Sequence, residues 1–225
     1  MCGDNFSPME IVVTYANYIL TTGSSIVDWE NVFGQYWYQT RFVGRSPILD
    51  LAPGRCRFTK QNTLDIVGVD IEPAIVSHYA DQGINIEQGS AYEIPFPDRY
   101  FEGVFCCWLF EHLAQPDLAM CEIGRVLKPG GYACIIVPSP HSLQHGFYDD
   151  YTHIRPFTKN SLDHLARLAG FSSSNSDYLF WGRGGRIILR RFGPLVTQRY
   201  IRFCDIIMRR LGLVNRNMIA LEAYR

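Results

Sequence analysis

Two short apolar runs, each carrying an aspartate at or near its end, constrain this chain more than any other feature. They are Ile48-Leu49-Asp50-Leu51 and Ile66-Val67-Gly68-Val69-Asp70. Between them lies Ala52-Pro53-Gly54-Arg55-Cys56-Arg57-Phe58, a loop opened by small residues. Runs of four or five apolar residues between turn signals have the length of buried parallel strands. Small residues let a backbone approach a ligand closely, and Pro53 stiffens the turn. Asp50 and Asp70 stand 20 residues apart. That is the layout of a first βαβ unit whose loop offers backbone N–H groups to a nucleotide-like ligand, with an acid at the second strand for ribose hydroxyls. Ile66 follows the loop so soon that the intervening helix is predicted to be unusually short.

The alternation continues. Further strands are predicted near Ile84 to Glu87, Gly103 to Cys107, Tyr132 to Val137, Ser176 to Phe180 and Met218 to Tyr224. Helical spacing of apolar residues runs over Pro116 to Val126, where Lys128-Pro129-Gly130-Gly131 stops it, and over Ser161 to Leu168, ended by Gly170. The expected fold class is α/β: a Rossmann-like, doubly wound, mostly parallel seven-stranded sheet with helices on both faces. Residues 1–46 read as a helical, aromatic-rich flank that packs on the core, 47–180 as the core, and 181–225 as an arginine-rich insertion and final strand of the same domain.

At 225 residues the chain has room for one such domain. The seven cysteines form no CxxC pair and no zinc spacing, so they read as small buried hydrophobes in a reducing compartment. Asp4 and Glu10 make the N-terminus a poor signal peptide, and a cytoplasmic protein is expected. Charge divides unevenly. Residues 1–178 hold 11 basic and 20 acidic residues, whereas 179–225 hold ten arginines against Asp205 and Glu222. Pro194 to Leu211 is read as an amphipathic helix, with Val196, Tyr200, Phe203, Ile207 and Leu211 packing on the domain. A basic helix of this kind can also touch the inner face of an anionic membrane. No nucleic-acid partner is expected, because the body is acidic and no stacking platform interleaves with basic residues.

From Ile48 to Phe171 the order of further blocks resembles the class I S-adenosylmethionine-dependent methyltransferases. The blocks are ILDLAPGRCRF, VGVDIEP, Gly89 to Asp98, FEGVFCCWLFEHL, EIGRVLKPGGY and Asp149 to Thr158, the last resembling a subgroup with a similarly short first helix. The resemblance implies S-adenosylmethionine as cofactor. It implies that Asp50, Ala52 and Gly54 border its methionine part, Asp70 holds the ribose, Ile71 packs on adenine, and Ser90 and Ala91 sit at the adenine edge. Cys106 and Cys107 would line the site, and Glu111-His112 matches the family's acid–histidine pair, with His112 read as a structural residue. Ala52 and Cys56 stand where the family's loop usually has glycines, and Ser90 where it usually has an acid. Those departures keep a second reading open, a degenerate fold serving as a binding or regulatory module. A nicotinamide-dependent oxidoreductase is disfavoured by the lack of GxGxxG.

The loop after the fifth predicted strand, Pro138 to Thr158, carries His141, His145, Tyr148, Asp149, Asp150 and His153. Histidine titrates where a general base for an oxygen acceptor must, and a carboxylate can orient it. His153, His145 and Asp150 are the catalytic candidates, with structural anchoring of the loop as the competing reading. The spacing of these groups fits no standard metal pattern, so no metal is expected. The block at Asp149 to Thr158 is similar to methyltransferases of surface-polysaccharide and glycolipid assembly, which implies a small molecule or saccharide as acceptor, methylated at oxygen.

Overall fold

The computed structural model describes residues 38–61, 65–179, 185–211 and 218–225, together with Leu20 and Gly34. Most of the expected N-terminal flank, including Tyr15, Trp29 and Trp37, lies outside the described residues. Seven strands form one sheet: β1 (Ile48–Leu51), β2 (Ile66–Asp70), β3 (Ile86–Gln88), β4 (Phe101–Cys107), β5 (Leu127–Pro138), β6 (Ser173–Tyr178) and β7 (Met218–Tyr224). Their order is β3-β2-β1-β4-β5-β7-β6, with β1 to β5 parallel and β7 antiparallel to both its neighbours. This bears out the expected doubly wound fold. The order reverses between β1 and β4, so the crevice beyond the carboxyl ends of these strands is where such a sheet binds ligand.

The central strands form where the apolar run is too short for a helix and both faces can be covered. All residues of β1 and β2 are buried. Helices α1 (Pro73–Ala80), α2 (Pro116–Val126) and α3 (Lys159–Leu168) connect the strands. Leu49, Val104, Ile123, Val126, Ile135, Leu162 and Ala166 form one core cluster, which holds α2 and α3 against one face. Phe42, Ile48, Phe58, Phe105, Tyr132 and Ile201 fill a second. Phe58 stacks on Phe105 at 4.3 Å. Where a first helix would follow β1 there is one 3₁₀ turn, Thr59–Gln61, as the spacing predicted.

Several expectations are displaced: β3 begins at Ile86 instead of Ile84, β4 at Phe101 instead of Gly103 and β5 at Leu127 instead of Tyr132. β6 begins at Ser173, three residues before the predicted Ser176, because Ser173 to Tyr178 pair in register with Tyr224 to Ile219 of the last strand. In the arginine-rich segment, α4 (Gly185–Arg210) breaks at Gly193, whose φ of 77° is left-handed. After the break Thr197 and Ile201 turn inward, at 0% and 1% exposure, while Phe203 and Leu211 are over 60% exposed. The inward line is thus rotated by about one residue from the predicted apolar stripe, and much of that stripe faces solvent. Among the described residues, no helix is long and apolar enough to cross a membrane. Of the cysteines, Cys56, Cys106 and Cys134 are buried as expected, whereas Cys121 is exposed.

Candidate active site

The turn between β1 and the 3₁₀ turn is built from left-handed residues at alternate positions. Ala52 has φ 56°, Gly54 φ 51° and Cys56 φ 52°. The N–H groups of Ala52, Gly54 and Cys56 are spent within the fold, on the Val69 carbonyl, Asp70 Oδ2 and the Pro53 carbonyl, which fixes the shape of the turn. Gly68 of β2 makes room for the loop, since a Cβ there would come 3.1 Å from Pro53 Cγ. Left-handed φ suits glycine and costs other residues about 1–2 kcal/mol. Glycine substitution therefore has opposite outcomes at the two non-glycine positions. Ala52→Gly is expected to raise stability by about 1 kcal/mol in chemical denaturation. Cys56→Gly is expected to give no gain, because the Cys56 thiol fills a cluster with Ile75, Tyr79 and Ile86. Equal shifts for both variants would show that backbone strain does not govern this loop.

Two carboxylates stand at the loop. Asp50, at 3% exposure, accepts the Thr59 hydroxyl at 2.7 Å and the Thr59 N–H at 3.1 Å, both on Oδ2. Burial raises its pKa to about 7 despite these bonds, and the nearby Asp70 charge adds to the rise. Asp70 closes β2 and is also buried. Its Oδ1 accepts the Glu72 N–H at 3.0 Å and its Oδ2 the Gly54 N–H at 3.3 Å. Burial raises this carboxyl as well, against the bonds from Glu72 and Gly54. Each oxygen keeps acceptor capacity beyond the bond it makes.

These groups fit a ribose-containing cofactor. Asp70 can take a pair of vicinal hydroxyls, and next to it Ile71 leaves 69% of its surface open, an apolar platform for a flat base. Ser90 lies partly buried where the resemblance puts the adenine edge, with its hydroxyl accepting the Tyr92 N–H at 3.1 Å. Ala91 packs on the larger core cluster. The β4 cysteines divide, Cys106 turning fully into that cluster while Cys107 stays partly exposed. Burial holds the Cys106 thiol well above its usual range, with the charges of Glu111 and Asp50 adding.

That turn, Phe110–His112, and the loop after β5 meet in a second cluster. Ile154 and Arg155 donate their N–H groups to the Glu111 carbonyl at 2.8 and 3.4 Å, fastening one segment to the other. His153 Nδ1 lies 2.6 Å from the Phe147 carbonyl, and the His112 and His153 rings are 4.6 Å apart. His112 Nδ1 lies 2.8 Å from Thr152 Oγ1, whose own hydroxyl donates to Asp150 Oδ1 at 2.5 Å. Burial lowers the pKa of His112, with the His153 charge adding and Asp150 opposing. For Asp150, burial works upward, but the Thr152 hydroxyl and N–H outweigh it and the carboxyl falls below its usual value.

Of the catalytic candidates, His153 and Asp150 are thus brought together, His153 Nε2 standing 4.0 Å from Asp150 Oδ2. The side chain of His145 lies outside the described residues. His141 points elsewhere, its ring 5.9 Å from that of Tyr178. Sequence reasoning gave no chemical role to Glu111, which is fully buried, with neither carboxylate oxygen hydrogen-bonded to another residue. Its signal was present as the acid of the acid–histidine pair, but its isolation became visible only in the fold. Burial raises its pKa to about 8, opposed by its own backbone N–H.

Comparisons with known proteins agree with this geometry. Residues 49–135 match the family model described as a methyltransferase domain. The chain is 31% identical over 150 residues to a demethylmenaquinone methyltransferase of Symbiobacterium thermophilum, covering 59% of this chain and 58% of the relative. It is 34% identical over 76 residues to a ubiquinone/menaquinone biosynthesis C-methyltransferase of Vibrio cholerae, 32% of this chain and 29% of the relative. The chain therefore spans less than two thirds of the length of these relatives. Among solved structures, a SAM-dependent methyltransferase from Archaeoglobus fulgidus superposes with a TM-score of 0.67 at 22% identity, covering 95% of this chain and 99% of that one. Fold, loop and matched segment are together similar to those of the class I S-adenosylmethionine-dependent methyltransferases.

Proposed function

We propose that the chain transfers a methyl group from S-adenosylmethionine to a hydroxyl-bearing, lipid-linked small molecule such as a lipid-linked saccharide, at oxygen. The observation that carries this reading is the meeting of Glu111, His112 and His153 at the carboxyl end of the sheet that also bears the cofactor loop. When bound, S-adenosylmethionine supplies an electrophilic methyl on a sulfonium, which an acceptor must approach in line. Asp70 holds and orients the ribose, and the loop from Ala52 to Cys56 cradles the methionine end beside Asp50. An oxygen acceptor must shed its proton as it is methylated. The two imidazole lone pairs of the second cluster offer acceptors to such a hydroxyl.

A lipid-linked acceptor is favoured by α4, where Phe192, Leu195 and Phe203 are each more than half exposed among exposed Arg191, Arg199 and Arg202. Apolar and cationic groups side by side suit an anionic lipid surface. Methylation at a ring carbon is the second reading, favoured by the similarity to quinone-named relatives. Both readings need a hydroxyl or its anion for activation.

S-adenosylhomocysteine release is the measurement that tests the proposal. It is expected with hydroxylated acceptors presented in mixed micelles, and the product's new methyl is expected on oxygen by NMR. A methyl on carbon would favour the second reading. Absence of binding of either nucleoside at millimolar concentration would overturn the enzyme and leave the binding-module reading.

A further inference from the structure

We propose that Glu111, His112 and His153 form a binding site for a divalent first-row transition cation, such as zinc or manganese. One potential ligand atom from each residue lies within 4.8 Å of the other two. An ion bonds such atoms at about 2.0–2.2 Å, so a modest side-chain adjustment closes the widest pair.

The hydrogen bonds already prepare both imidazoles. A carbonyl can only accept, so His153 Nδ1 carries the proton that it gives to Phe147. Thr152 spends its hydroxyl proton on Asp150, so its oxygen accepts from His112, and Nδ1 of that ring is also protonated. Both Nε2 atoms are left with lone pairs. Metal-binding histidines show this pattern, one nitrogen donated to a carbonyl or a carboxylate relay and the other free for the ion.

Glu111 supplies the independent observation. It is fully buried, and neither of its oxygens meets a donor from another residue. In its ionised form a carboxyl so enclosed costs several kcal/mol unless a positive charge answers it. A cation held between Glu111 and the two imidazoles does so. Asp150 Oδ2, 4.0 Å from His153 Nε2, is within reach as a further oxygen ligand.

Donor chemistry selects the ion class. Two imidazoles and one carboxylate suit zinc, manganese or iron, whereas magnesium and calcium prefer all-oxygen shells. Three protein ligands leave a coordination position for a hydroxyl oxygen of the acceptor, whose acidity the ion raises. That last role rests on the methyl-transfer reading above, and the site itself does not. The structure also explains why sequence spacing gave no metal signal. The groups weighed there were neighbours in one loop, whereas the site joins His153 to residues 41 and 42 positions earlier.

Calorimetric titration of the full chain, stripped with chelator and dialysed, with zinc chloride and with manganese chloride tests the site. About one ion per chain is expected. His153→Ala and Glu111→Gln should each weaken binding at least about 100-fold, and Thr152→Val, which loosens the His112 tautomer, by about 10–100-fold. His141→Ala should leave binding unchanged. Circular dichroism and S-adenosylhomocysteine titration of each variant report folding and the cofactor site separately. Retained nucleoside binding with lost ion binding supports the assignment. Specific ion binding without nucleoside binding would keep the site and overturn the proposed function. Failure of the stripped wild type to take up either ion, or undiminished uptake by His153→Ala, would overturn the site. Should Glu111→Gln not fold, the partly exposed His153 decides the matter alone.

Discussion

Asp70→Ala is expected to weaken binding of S-adenosylmethionine and S-adenosylhomocysteine by roughly 10²–10⁴-fold, the largest effect of any single change at the cofactor loop. Its carboxylate is buried at the tip of β2, where a ribose can offer it two hydroxyls. Hydrogen bonds to charged groups contribute about 1.5–3 kcal/mol each, and two of them give that range. The same carboxylate ties Gly54 and Glu72 by their N–H groups, so the alanine variant also loosens the loop and the entry to α1. Asp70→Asn separates the two contributions, because an amide oxygen can still accept from one N–H while the charge is gone. It should fold normally and bind about 10–100-fold more weakly than wild type. His153→Ala, by contrast, should leave nucleoside affinity within about twofold. Calorimetric affinities of the three variants, with thermal melts as the folding control, decide the point. Equal affinity of wild type and Asp70→Ala would mean that the ribose site lies elsewhere.

The parts of this molecule that were legible in the sequence are those set by local pattern. β1 was readable to the residue and β2, expected over Ile66 to Val69 and found to reach Asp70, to within one, since short apolar runs buried on both faces leave little freedom in their boundaries. The stop of α2 was equally plain. Val126 is the last helical residue, and the Lys128-Pro129-Gly130-Gly131 segment, with Gly130 at φ 76°, cannot continue a helix. Beyond pattern, legibility failed wherever tertiary contact decides. The strand β6 carries Ser173, Ser174, Asn175, Ser176 and Asp177, a polar sequence with little strand propensity, and it exists because β7 gives it a partner. The rotation of α4 about its axis depends on the break at Gly193. At the site, Asp50 and Asp70 could be named from their strands, but no spacing shows that Asp50 is enclosed. Nor does spacing show that His112 and His153 meet, because that contact rests on backbone bonds from Ile154 and Arg155 to the Glu111 carbonyl.

The enclosure of Asp50 has a consequence for stability that can be measured without any ligand. Its carboxyl titrates near 3.8 when free of the fold and at about 7 within it, burial being the main cause. Between those values the folded chain keeps a proton that the unfolded chain has released. Stability from this residue is therefore greatest below about pH 4 and declines as pH rises toward 7, with no further loss above that. The slope is at most about 1.4 kcal/mol per pH unit, and the full decline is on the order of 4 kcal/mol. Asn in place of Asp50 keeps the shape and can still accept from Thr59, yet does not titrate. Asp50→Asn should thus exceed wild type by about 1.5 kcal/mol at pH 5 and by about 4 kcal/mol at pH 8, as read by urea unfolding at the two pH values. Curves that run parallel from pH 5 to 8 would show that Asp50 is already ionised in the fold. A cation placed against this group reverses the preference, because it favours the carboxylate. S-adenosylmethionine carries a sulfonium charge that S-adenosylhomocysteine lacks. Its affinity for the wild-type chain should therefore rise from pH 6 to 8 more steeply than that of S-adenosylhomocysteine, and the difference should vanish in Asp50→Asn. A group that destabilises the empty domain at neutral pH thereby becomes a means of telling the charged cofactor from its uncharged product.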